Sequence, residues 1–255
     1  MSENKKIKIM SKKLFSISLA CVMLVFAACK KNNTDVPVPT TVVPKVKSFT
    51  ISNGATVLNT ATIQYDNSGR RIKQTFADGS WVDFNNTANT IVAEQFDAGG
   101  TSLNKVTYNL NAEGLVESYF TNSMPTKITY ATYNTAKQLV SEITKSSGVI
   151  TNENYYKYDN IGNVSTDSII ATNGTTIRTN EYYTDKISTT ENSNIGAASS
   201  GMGNKNCRKK QTTKSPSNII TIIDYSIPEI DAQGRVTKQT YTSGGSTYSL
   251  GYSYY

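Results

Sequence analysis

The pattern Asp/Asn-x-x-Gly recurs at Asp66–Gly69, Asn111–Gly114, Asp159–Gly162 and Asp231–Gly234, with a degenerate copy at Asn134–Lys137. An Asp or Asn side chain bonds backbone N–H groups just ahead of it, and Gly takes the positive φ that closes a tight turn. A second set of turn signals falls midway between these: Asn53-Gly54, Asp78-Gly79, Gly99-Gly100, Ser123 to Pro125, Ser147-Gly148, Asn173-Gly174 and Gly244-Gly245. Within either set the turns lie roughly 20 to 26 residues apart, with a longer gap around residues 193–217, so each repeat is a pair of strands.

The segments between turns are rich in Thr, Ile, Val and Tyr, and many alternate. In NKVTYNL, Val106, Tyr108 and Leu110 share one face while Lys105, Thr107 and Asn109 share the other. In PTKITYATY, Ile128, Tyr130 and Thr132 alternate with Lys127, Thr129 and Ala131. Period two over such lengths marks a half-buried strand. No helical stretch follows residue 29. The chain therefore reads as all-β, an antiparallel up-and-down meander of about sixteen strands, curled or flattened into a barrel-like sheet or sandwich.

Two forms satisfy such a meander. Sixteen strands closed in a circle surround an aqueous lumen, and in a membrane their apolar face points outward into lipid. Alternatively the sheet curls and packs on itself, with its faces about 10 Å apart. GRRIKQTFA, KISTTEN and GRVTKQTYT carry few apolar residues on either face, which favours the second form. NIITIIDYSI and STYSLGYSYY suit a barrel wall.

The N-terminus carries a different signal. Lys5, Lys6, Lys8, Lys12 and Lys13 precede the apolar run Leu14–Ala28, which is shorter than the roughly 20 residues of a spanning helix and reads as a secretory signal over residues 1–28. Phe26-Ala27-Ala28-Cys29 resembles the bacterial lipobox, which implies acylation of Cys29. Residues 29–47 then form a Pro-rich tether, with Pro37, Pro39 and Pro44, because proline holds a chain extended and solvated. The β-repeat domain occupies residues 48–255.

The stretch Tyr65-Asp66-Asn67-Ser68-Gly69-Arg70, followed by Phe76, resembles the YD (Rhs-type) repeat of bacterial envelope and toxin-shell proteins. Looser copies start at Tyr158 and at Ile230. Lipobox, tether and degenerate YD repeats together resemble a family of Bacteroidetes lipoproteins, a domain of unknown function described as porin-like in fold. The resemblance implies architecture and location, and brings no catalytic residues.

From residue 29 onward there are 21 Lys+Arg against 18 Asp+Glu, and the tether accounts for the whole excess. A basic loop is expected over 196–217, where Lys205, Arg208, Lys209, Lys210 and Lys214 stand without an acid and offer a surface for anionic headgroups or polysaccharide. Cys207 lies among them, in a setting that favours a thiolate, but the chain has no histidine to act as base. Tyr155, Tyr156, Tyr182 and Tyr183 are candidates for stacking on sugar rings, with a β core as the alternative role. Asp167-Ser168-Ile169 resembles an O-glycosylation site, which would place a glycan on Ser168.

Ser102-x-x-Lys105 matches an acyl-enzyme motif that needs a helix, so a strand rules it out. Each Asp-x-x-Gly turn offers one carboxylate where calcium takes about six to eight oxygens, so neither metal nor cofactor is expected. No nucleic-acid partner is expected. The chain is thus expected to be a non-catalytic, lipid-anchored protein of the outer membrane, on its periplasmic face or at the cell surface. Its β surface would bind or scaffold a glycan or another envelope protein. The alternative is a lipidated outer-membrane barrel. A third reading is a glycan hydrolase using two of Asp83, Glu94, Glu117, Glu142, Glu153, Asp167 and Glu181.

Overall fold

The computed structural model describes residues 44–190 and 204–255, so the signal stretch, Cys29 and the tether up to residue 43 lie outside the described residues. Every regular element among the described residues is a strand. The first half holds β1 (Val46–Asn53), β2 (Thr56–Tyr65), β3 (Arg71–Phe76), β4 (Trp81–Asn86), β5 (Thr90–Phe96), β6 (Ser102–Leu110), β7 (Val116–Thr121) and β8 (Lys127–Tyr133). The second half continues with β9 (Leu139–Ser146), β10 (Val149–Tyr158), β11 (Val164–Ala171), β12 (Gly174–Ile187) and β13 (Asn206–Lys214). It ends with β14 (Ile220–Tyr225), β15 (Glu229–Ile230), β16 (Val236–Ser243) and β17 (Ser246–Tyr254).

Consecutive strands pair antiparallel, and the ring closes where β1 takes β17 on one side and β2 on the other. β14 and β15 both pair with β16 and lie end to end, separated by Ser226, Ile227 and Pro228. A proline cannot donate to a ladder, so the strand breaks there. Seventeen strands thus form a barrel of sixteen. Of the two forms open to the meander, the chain adopts the closed one, in which no sheet edge is left exposed at the first or last strand.

The two sets of turn signals mark the two ends of the barrel. At the end that carries both termini of the sheet, Asp66 Oδ1 accepts the Arg70 N–H at 2.8 Å while the Arg70 guanidinium returns to Asp66 Oδ2 at 2.7 Å. Asp231 and Arg235 repeat both contacts. Asn111, Asn134 and Asp159 accept the corresponding N–H of Leu115, Gln138 and Asn163. Gly69 provides the positive φ of 81° in the first of these turns; in the degenerate copy Lys137 takes it at 60°, against the clash of its own Cβ. The tight hairpins of the second set all lie at the far end. The sequence signals miss two turns, at Thr87–Thr90 and Ser215–Ile219, which are held by Thr87 and Ser215 hydroxyls instead.

The repeated tyrosine has its own task. Tyr65, at the end of β2, donates its hydroxyl to the carbonyl of Val46 at the start of β1 (3.0 Å). Tyr133 does the same to Val116 (2.9 Å), Tyr158 to Leu139 (2.8 Å), Tyr182 to Val164 (2.9 Å) and Tyr254 to Val236 (2.7 Å). Asn86 substitutes its amide for the phenol, donating to the Arg71 carbonyl at 2.9 Å. A turn fastens each of these six hairpins at one end, and this side chain fastens it at the other.

Residues directly opposite across a ladder share a face. One face carries Val46, Phe49, Ala61, Ile63, Phe76, Val82 and Ala93, a continuous buried cluster over β1 to β5 in which Ala61 and Ile63 are each 1% exposed. That face is the inside. It excludes water from roughly 1.5–3 kcal/mol worth of apolar side chain at each large position.

The stretch expected as a basic loop over 196–217 is corrected in part. Asn206–Lys214 forms β13, a wall strand paired with β12 and β14, and residues 196–203 lie outside the described residues. Thr212 and Thr213 between the lysines supply the β-forming character that charge counting overlooked.

Candidate binding site

The inner wall changes character around the ring. Over β1 to β5 it is mainly apolar, with buried Arg71, Gln74 and Gln95 among the apolar residues, whereas from β6 to β13 it carries tyrosines, carboxylates and guanidinium groups. At the centre of this second region is Glu142 of β9. Tyr119 of β7 donates to its Oε1 at 3.2 Å, and Tyr156 of β10 donates to its Oε2 at 2.6 Å. The Tyr108 ring lies against that of Tyr119, with centroids 5.5 Å apart and planes 37° from parallel. Tyr133 stands on the same face as Ala131, the register partner of Glu142.

Burial first, and then the Glu142 charge, push the phenols of Tyr119, Tyr133 and Tyr156 well above the usual tyrosine range. The same causes raise Tyr108 to about 12. Each phenol therefore stays protonated at any physiological pH and donates, which is the arrangement a carboxylate inside a wall requires. None of the nine ion pairs among the described residues involves Glu142.

One strand further on, Asp167 of β11 faces Arg178 of β12, with Arg178 Nη1 3.3 Å from Asp167 Oδ1. Burial raises the Asp167 carboxyl, and the charges of Arg178 and Arg208 oppose that rise. Asn180 and Gln211 continue the polar lining with a 3.0 Å amide bond.

The outer wall is different. Lys73 and Asp83, Glu94 and Lys105, Glu181 and Lys210, and Glu229 and Lys238 are each direct register partners of opposite charge on neighbouring strands. Their separations run from 2.8 Å for Glu94–Lys105 to 3.9 Å for Glu181–Lys210. Trp81 also lies outside, stacked on Phe96 with centroids 5.1 Å apart and donating to Asp83.

These positions revise the sequence-based candidates. The four tyrosines expected to stack on sugar form no common platform. Tyr155 is outside and bonded to Glu153, Tyr156 and Tyr182 are inside, and Tyr183 donates to the Tyr225 carbonyl. Period two separates Tyr155 from Tyr156 onto opposite faces. Cys207 is 5% exposed and its thiol lies 3.5 Å from the Ile187 carbonyl, so it is not a surface thiolate. Lys210 and Lys214 lie on the outer face and Arg208 on the inner, after a bulge between Glu181 and Tyr182, so the five basic residues do not form one surface. Ser168 faces outward between Tyr155 and Ile177, its register partners. Among the described residues no group of three His, Cys, Asp or Glu gathers at metal-binding distance. Of the seven carboxylates weighed for hydrolysis, Glu142 and Asp167 face inward, Asp83, Glu94, Glu153 and Glu181 face outward, and Glu117 is exposed at the bulge between Val116 and Ser118. The tyrosine cluster around Glu142 draws on β6, β7, β8 and β10, and only the alternation of Tyr108 in NKVTYNL hinted at it.

The fold has a counterpart among solved structures. The chain is similar to a porin-like protein from Bacteroides uniformis, at a TM-score of 0.59 and 16% identity over 82% of this chain and 98% of that one. Weaker likenesses are to the TcdB2–TccC3–Cdc42 structure (TM-score 0.32, 17% identity, 77% of this chain and 10% of that one) and to the Photorhabdus luminescens Tc holotoxin pore (TM-score 0.30, 12% identity, 72% and 12%). No family model and no curated protein matches the chain.

Proposed function

We propose that this protein is a lipid-anchored, non-catalytic barrel of the bacterial envelope, standing beside the membrane on its tether and binding or scaffolding a glycan or envelope protein. The observation that carries this reading is the outer wall. Four opposite-charge pairs stand across neighbouring strands on it, from β3–β4 round to β15–β16. A lysine facing lipid at the bilayer midplane costs about 2–4 kcal/mol, so a wall built this way favours water. The inner wall meanwhile holds the apolar cluster, the reverse of a lipid-facing barrel. Cys29 and its lipobox supply the anchor in this reading, since covalent acyl chains hold a protein to a membrane at about 0.8 kcal/mol per buried CH2. The first strand begins at Val46, at the barrel end that carries the Asp-x-x-Gly turns and opposite the tight hairpins.

The test is expression of residues 32–255 without signal or lipid cysteine, followed by chromatography and circular dichroism. A monodisperse β-rich species in plain buffer is expected. Chain that folds only in detergent, with heat-dependent gel mobility, would overturn the reading in favour of a membrane-spanning barrel.

A further inference from the structure

The cluster around Glu142 is a site in its own right. A carboxylate stands on the inner wall with two tyrosine hydroxyls donating to it, and Tyr108 and Tyr133 complete a wall of four aromatic rings. Glu142 and the four tyrosines each keep some exposed surface, although Tyr108 and Tyr119 pack in part against Ile91 and Val116. Opposing Lys and Arg neutralise most paired carboxylates of this barrel, whereas Glu142 has no ion-pair partner among the described residues.

We infer that this cluster binds a small organic cation, an alkyl- or trimethylammonium group, with Glu142 as counter-ion and the faces of Tyr108, Tyr119, Tyr133 and Tyr156 as its cage. Aromatic faces carry negative potential and attract a diffuse ammonium charge, and the trimethylammonium group is the ligand for which such cages are best suited. A hard metal ion fits the site poorly. It takes about six to eight oxygens, usually from several carboxylates, and the one carboxylate beside Glu142 on this face, Asp167 opposite Tyr156, is already paired with Arg178. The phenolic hydroxyls are not the ligands: those of Tyr119 and Tyr156 donate to Glu142 and hold the carboxylate in place. The inference rests on the interior of the barrel and is independent of how the protein is anchored.

Choline, titrated calorimetrically into the purified full-length protein in a detergent without a choline headgroup, tests it. The comparison is choline's uncharged carbon analogue, with a tert-butyl group in place of trimethylammonium. Saturable binding of choline and at least about tenfold weaker binding of the analogue are expected. Glu142→Gln should weaken choline binding by about tenfold or more, whereas Tyr130→Phe, on the outer wall, should leave it unchanged. Absence of saturable choline binding, equal binding of choline and analogue, or equal binding by wild type and a folded Glu142→Gln protein would each overturn the proposal. The choline-against-analogue comparison uses the wild type alone and decides the matter even where Glu142→Gln does not fold.

Discussion

Replacing the hairpin-closing tyrosines by phenylalanine removes one atom from each and tests whether the repeat is held at its open end by that atom. Tyr65, Tyr133 and Tyr158 each donate to a backbone carbonyl at the start of the preceding strand, at 3.0, 2.9 and 2.8 Å, and each bond is part-buried. Phenylalanine keeps the ring contacts, including the edge-on packing of Tyr65 against Tyr255, whose centroids are 6.1 Å apart. At Tyr133 and Tyr158 the loss is therefore one net hydrogen bond, about 0.5–1.5 kcal/mol each, and at Tyr65 it is larger, because the buried Arg71 guanidinium also bonds that hydroxyl. Tyr65 lies in a separate hairpin and its effect should add to the others within about 0.3–0.5 kcal/mol, whereas Tyr133 faces Leu139, whose carbonyl accepts from Tyr158, so those two are coupled. The triple variant should lose about 2–4 kcal/mol, a large part of the roughly 5–15 kcal/mol that holds an ordinary domain folded. For a domain of this size each kcal/mol corresponds to about 2–4 °C in Tm. Thermal and urea unfolding followed by circular dichroism would read this. Tyr130→Phe is the control, because Tyr130 lies on the outer wall at 43% exposed. The reasoning is refuted if the three single variants shift stability no further than Tyr130→Phe does.

Four more outcomes follow from the same structure. The backbone N–H of Arg70, with its guanidinium, holds the Asp66 carboxyl below the usual carboxylate range. A lowered folded-state pKa makes its stabilisation fully present above the unfolded value near 3.9 and lost as pH falls through the folded value, so Asp66→Asn should flatten the acid limb of stability below about pH 4. Asn111 shows that Asn serves the turn at neutral pH, so Asp66→Asn should cost less there than Asp66→Ala in urea unfolding. Lys137→Gly should raise stability by about 0.5–1 kcal/mol, because Lys137 sits at a φ of 60° and its ion pair with Glu113 is exposed; unchanged or lower Tm would count against that strain. Gln239→Leu should cost about 1–3 kcal/mol, since its amide donates to the Arg208 and Ser226 carbonyls, both at 2.9 Å, and stitches the wall where β14 breaks; faster hydrogen exchange there would report the opening.

Sequence alone determined most of the strands and most of the turns between them. Asp66, Asn111, Asp159 and Asp231 act within five residues of their partners, and local chemistry of that kind is written in the chain. Period two likewise assigned Tyr108 and Lys105 to opposite faces before any fold was known. It gave no sign to those faces, because threonine and tyrosine populate both and neither side is purely apolar. The sign was decided by closure, when β1 met β17 across more than 200 residues and turned Ile63 inward and Lys73 outward. The basic stretch became a wall strand for the same reason: β12 and β14 offered Lys210 the acidic partners Glu181 and Asp224 that its own neighbours lack. The Glu142 cage depended on tertiary structure most of all. Its rings come from four strands, and register alone sets them around one carboxylate.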